Sequence, residues 1–196
     1  MKAKIEEISK VSTGIYTQFG QSGSAIYLQA NYFDERGHLQ DFIRPNLVLD
    51  DKTKKHLLNE GDILFAAKGT KNFAVSVKNK MGACVASSIF LVLRIKEEFK
   101  KIVQPEFLVW FLNHPNSLAY LKSQAIGTGL PSISKKTLEE MEIILPSLNT
   151  QNNIVIIDSL QKKEKRLRIQ IEGMREKQIQ QLLLNLTTGK LKINGK

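Results

Sequence analysis

Residues 61–77 read GDILFAAKGTKNFAVSV. An apolar run follows an acidic turn, a small basic break interrupts it, and a second apolar run returns. Apolar runs rich in β-branched and aromatic residues, bounded by Gly and Asn, mark two strands joined by a turn. The spacing predicts one strand at 62–67, a tip at Lys68, Gly69, Thr70, Lys71 and Asn72, and a second strand at 73–77.

The same texture extends to either side. AIYLQA at 25–30 and SIFLVLRI at 88–95 are further strand candidates, and breaks at 20–23, 37, 61 and 69 fall at hairpin-like intervals. From Ile5 to about Ile95 the chain predicts a curled, mostly antiparallel β-sheet. Beyond Lys101 the period changes. Pro105 suits a first helical turn, and Phe107, Leu108, Phe111 and Leu112 recur at helical spacing up to His114-Pro115. A second helix is expected over 116–125, loop or extended chain over 127–134, a short helix over 135–141 and a strand end at 143–145. The fold class is α+β, with helices packed on the sheet.

After Asn149 the composition shifts to Gln, Lys, Glu, Leu and Ile with no further proline. One helix over about 150–186 would extend on the order of 50 Å. Leu160, Leu167, Ile171 and Met174 follow heptad spacing, and Ile179, Leu182 and Leu186 continue the stripe after a slip of one position. Such a stripe packs either on its own domain or on another helix, and its length favours a coiled coil.

A chain of 196 residues suits one core with an appended element. The division expected is a domain at 1–147, a long helix at 148–186 and a flexible tail at 187–196. Hydrophobic residues make up 42% and charged residues 24%, values of a folding, water-soluble chain. The net charge is +10, with +5 in residues 51–100 and +6 in residues 151–196. Charge concentrated in this way points to a polyanion, nucleic acid first. A single cysteine, Cys84, excludes an internal disulfide and a thiolate zinc cluster. The charged N-terminal stretch and the absence of a run near ~18 apolar residues predict a cytoplasmic protein without a membrane span.

Lysines, a hydroxyl, an amide and a close backbone N–H at the tip could meet phosphates and base edges, and Arg36, Arg44, Lys52, Lys54 and Lys55 could extend that face or be solvated surface. The tip could equally be a solvated hairpin. No phosphate-loop spacing surrounds Gly69-Thr70, and no metal-ligand spacing links His38, His56 and His114. Gly127-Thr128-Gly129 is too short for a dinucleotide fingerprint. Glu98 and Lys100, with Asp50, Asp51 or Asp62 upstream, resemble part of a metal-dependent nuclease site, a pattern common by chance among 19 acids. No catalytic or metal residue is assigned, and Trp110 and Phe111 read as core. The rival classes are a small nuclease built on Asp62, Glu98 and Lys100, and an oligomerisation protein without DNA specificity.

The order of segments resembles the specificity subunit of type I restriction–modification systems. KIEEISKVSTG (4–14), YLQANYFDERGHL (27–39), LLNEGDILFAAKGT (57–70), CVASSIFLVLRI (84–95), PEFLVWFLN (105–113), the GTGLPSISKKTLEEMEIILPSL block (127–148) and the long helix carry the likeness together. Where the family usually shows a Glu-Gln pair before the helix, this chain has Thr150-Gln151. The family commonly has two target-recognition domains and two helices, whereas one of each is present here. The resemblance implies a half-subunit that binds double-stranded DNA and pairs as a homodimer, its helices antiparallel, so that a bipartite site is read. It also implies methyltransferase partners carrying S-adenosylmethionine and a restriction subunit carrying ATPase, nuclease and magnesium, with no cofactor in this chain.

Overall fold

A computed structural model of the chain describes residues 1–34, 37, 39, 43–69, 71–127 and 131–188. It divides into two units, Met1–Asn153 and Ile154–Lys196. The expected tail falls mostly on 189–196, outside the described residues, as do Arg36, His38, Thr70, Thr128 and Gly129.

The strands are β1 (Lys2–Lys4), β2 (Ser9–Thr13), β3 (Ile26–Leu28), β4 (Ile63–Ala66), β5 (Ala74–Ser76), β6 (Cys84–Ala86), β7 (Phe90–Ile95) and β8 (Glu142–Ile144). The helices are α1 (Ile5–Ile8), α2 (Pro105–Asn113), α3 (Pro115–Ser123), α4 (Lys135–Glu139) and α5 (Leu148–Thr187). The class is α+β. A four-stranded antiparallel sheet runs β2-β7-β4-β5, with Leu64 opposite Val92 and Val11 opposite Leu93. All of β4 is buried, because it lies between two strands and is packed on both faces.

One face of that sheet buries Leu64, Ala66, Phe90 and Val92 against Ile26, Leu28, Cys84 and Ala86. The latter belong to β3 and β6, a parallel pair in which Ile26 meets Cys84 and Leu28 meets Ala86. This parallel pair was not expected from the sequence. Phe33, Phe73 and Phe90 close the cluster with ring centroids 5.4 to 6.2 Å apart, within the range of favourable aromatic pairing.

Helix α2 packs on the edge strand β5. There the Asn113 side chain accepts from Ala74 N and donates to Ala74 O, both at 2.8 Å. His114 ends α2 and starts α3, its Nδ1 accepting from Asn116 N at 3.3 Å. Ser134 caps α4 by accepting from Thr137 N at 2.9 Å.

The first turn of α5 belongs to the first unit. Ser147 Oγ accepts from Thr150 N at 3.3 Å, and Gln151 is fully buried. Gln151 Nε2 donates to Ile102 O at 2.7 Å and Pro146 O at 2.9 Å, while its Oε1 accepts from Gln104 N at 3.0 Å. Thus Gln151 of the departing Thr150-Gln151 pair fixes the helix start. The helix spans 40 residues, about 60 Å at its standard rise, and none of residues 154–188 is buried. Among the described residues no helix is long and apolar enough to cross a membrane.

Candidate nucleic-acid interface

Strands β4 and β5 form the expected hairpin, with Ile63 opposite Ser76 and Phe65 opposite Ala74. The turn between them is held on several sides. Ala67 N donates to Ile89 O at 2.9 Å, and Ala67 O accepts from Ile133 N at 2.8 Å. Lys68 bridges to Ser132, and Gly69 N donates to Pro131 O at 2.9 Å. Gly69 has φ +99°, a left-handed conformation that glycine adopts without strain. Asn72 Nδ2 donates to Ala66 O at 2.9 Å and so ties the turn to the end of β4.

Lys68, Gly69, Lys71 and Asn72 therefore share one pinned turn, while Thr70 and Arg36 lie outside the described residues. Arg44 is exposed on a different stretch, just ahead of the bridge between Ala25 and Leu47. Two of the groups expected to face a ligand are committed to the fold: the Gly69 N–H to Pro131 and one Asn72 amide proton to Ala66. Lys68 and Lys71 are both exposed.

Ile89, the acceptor for Ala67, also lines an open cleft of about 590 Å³ together with Tyr16, Gln18, Phe19, Gln29 and Ser88. The strap 14–20 forms one wall and is anchored at both ends. Gly14 N donates to Phe90 O at 2.9 Å, Ile15 N to Ala86 O at 2.9 Å and Gly20 N to Asn46 O at 2.8 Å. A Cβ on Gly14 would lie 2.2 Å from Ser87 O, so only glycine permits this approach. Tyr27 Oη donates to Ile15 O at 2.7 Å, and burial pushes its phenol above the ordinary range. Phe19 leans on the Tyr27 ring at 5.3 Å. Tyr16 is nevertheless 88% exposed and Phe19 50%. Sequence reasoning missed this cleft. Its available signal was an aromatic pair, Tyr16 and Phe19, between Gly14 and Gly20 without an apolar period to bury it.

The acids considered for a nuclease site are arranged otherwise. Asp62 is buried, and Arg94 donates to its carboxylate from Nε at 2.7 Å and Nη2 at 2.6 Å, with Asn59 N adding a third bond at 2.8 Å. Lys100 pairs with Glu97 at 2.6 Å, and Glu98 is exposed. The Asp62 carboxylate, which the rival nuclease reading would use, is thus taken up by an ion pair, which also raises the Arg94 guanidinium further. Among the described residues no three acids, histidines or cysteines gather as a metal site. Cys84 is buried, and burial pushes its thiol up to about 11.

In the second unit Leu160, Leu167, Ile171, Met174, Ile179 and Leu182 are exposed at 45% to 61%, and Leu186 is half-buried. Flanking pairs at i,i+4 spacing, Asp158 with Lys162 at 2.6 Å and Glu164 with Arg168 at 3.2 Å, support the helix.

These features define a class of protein, an α+β domain bearing a basic hairpin and followed by a long helix with an exposed apolar stripe. The sequence matches the type I restriction modification DNA specificity domain over residues 2–181, and the chain belongs to that family. It is 36% identical over 104 residues to the type I restriction enzyme MjaVIII specificity subunit of Methanocaldococcus jannaschii, covering 53% of this chain and 23% of that protein. Its fold is similar to the HsdS subunit from Thermoanaerobacter tengcongensis, with TM-score 0.63, 18% identity, all of this chain and 50% of that one. The type I S subunit from M. genitalium gives TM-score 0.57 at 16% identity over 86% of this chain and 40% of its own. The chain thus spans between about a quarter and half the length of these relatives.

Proposed function

We propose that the chain is a sequence-reading unit of a type I specificity subunit, binding double-stranded DNA and directing partner methyltransferase and restriction subunits without catalysing a reaction itself. The observation that carries this is a family match spanning both the domain and most of the helix. Lys68 and Lys71 supply sequence-independent attraction to phosphates through counterion release, and neighbouring polar groups read base edges in the major groove.

Two copies pair through the stripe of Leu160, Leu167, Ile171, Met174, Ile179, Leu182 and Leu186, antiparallel, so that two-fold symmetry presents the same reading surface to both halves of an inverted site. The support is the exposure of that stripe, since burying one such leucine contributes about 1.5 to 3 kcal/mol. S-adenosylmethionine, ATP and magnesium belong to the partner subunits, and the protein works in the cytoplasm.

Selection of bound duplexes from a randomised library, with and without the methyltransferase subunit, tests the reading. Enrichment of a two-part, inverted sequence is expected. Enrichment of no sequence, or magnesium-dependent cleavage by the chain alone that Glu98→Ala abolishes, would overturn it.

A further inference from the structure

We propose that the cleft between the strap 14–20 and Ser88-Ile89 is where base identity is read, with Gln18 and Gln29 as the specificity-determining residues for an adenine–thymine pair. This deepens the DNA-reading proposal and rests on it. Each glutamine carries a donor and an acceptor on one planar amide, which matches the N6 donor and N7 acceptor of adenine in the major groove. Among the described residues no hydrogen bond engages either side-chain amide, in contrast to Asn72, whose amide is tied to Ala66 O. Tyr16 and Phe19 supply apolar ring surface of the kind that meets a thymine methyl group.

Position and rigidity support the assignment. The strap is held by backbone hydrogen bonds at Gly14, Ile15 and Gly20 and by Tyr27 Oη, so its side chains are presented without a loop having to order on binding. The cleft adjoins the basic turn, because Ile89 O accepts from Ala67 N one residue ahead of Lys68. A backbone phosphate at Lys68 would therefore place the groove beside the cleft, the usual division between positioning and specifying contacts.

The test compares the full chain with Gln18→Ala, Gln29→Ala and Tyr16→Ser in selection from a randomised duplex library, followed by binding to the selected duplex and to single base-pair substitutions over a salt series. Gln18 and Tyr16 are exposed, so their replacement leaves the fold intact, as circular dichroism will register. The expected result is relaxed discrimination of about 5- to 150-fold at an adenine–thymine pair for a glutamine variant, with the salt slope unchanged. If the parent chain selects a sequence and all three variants select it with the same discrimination, the cleft is not the reader. If the variants lose affinity for every duplex alike and flatten the salt slope, the cleft contacts backbone only and the proposal also fails. A parent chain that enriches no sequence removes the DNA-reading proposal itself, a result distinct from both.

Discussion

The two units hold their side chains in opposite ways. In residues 1–153 even the turn residues 67–69 are fastened to Ile89, Pro131, Ser132 and Ile133, and Gln151 spends both ends of its amide on backbone groups. In residues 154–188 no side chain is buried, and the helix carries local pairs such as Asp158 with Lys162 and Glu164 with Arg168 beside a stripe open to water. Isolated helices draw little stability from propensity alone and depend on packing of an apolar face. Residues 1–153 therefore bury their own core, whereas the stripe on the helix is left open to water.

The strongest way to break this contrast is at the stripe. Leu167→Glu with Ile171→Glu removes two apolar side chains from each copy of the proposed pair, several kcal/mol at about 1.5 to 3 kcal/mol each. Sedimentation should then show monomer where the parent chain is dimeric, with the unfolding midpoint of the domain unchanged. A parent chain that sediments as monomer at working concentration, with its methyltransferase partner present, would mean that something other than a second copy covers the stripe.

A smaller effect should appear where the helix begins. Gln151→Leu leaves Ile102 O, Pro146 O and Gln104 N without their partner, and partly buried orphans of this kind cost about 2 to 4 kcal/mol together. Urea denaturation should show the loss with an unaltered m-value, while Asn153→Ala, an exposed neighbour on the same helix, should move the midpoint little.

The contrast between strong fastening and weak net energy is sharpened most gently at the turn. Lys68→Ala with Lys71→Ala should leave the fold in place and lower affinity for all duplexes, flattening the salt dependence by up to about two units of slope. An unchanged slope would move the backbone contact away from this turn, with Arg44 the next exposed cation to test.

Local pattern made much of this fold legible. The hairpin of β4 and β5, the paired helices after Pro105 and Pro115, and the long helix all announce themselves through period and punctuation. The β3–β6 pairing did not, because it joins segments nearly sixty residues apart and its strands are three residues each, too short to show alternation. At the site, the lysines were legible as charge, but the use of the Gly69 N–H and the Asn72 amide depends on Pro131 and Ala66, which only the folded chain brings near. The cleft was hidden for a related reason: Tyr16 and Phe19 sit in a strap whose course is set by backbone bonds to residues 46, 86 and 90.

Asn113 has a consequence for behaviour in concentrated solution. Edge strands left bare template the addition of strands from other molecules, the first step toward insoluble aggregates. By occupying both the donor and the acceptor of Ala74 on β5, one carboxamide removes a rung from that ladder at the edge against which α2 packs. The same residue that fastens α2 to the sheet thus helps keep neighbouring copies from zipping together side by side, leaving association to surfaces that can be regulated by affinity and not by backbone alone.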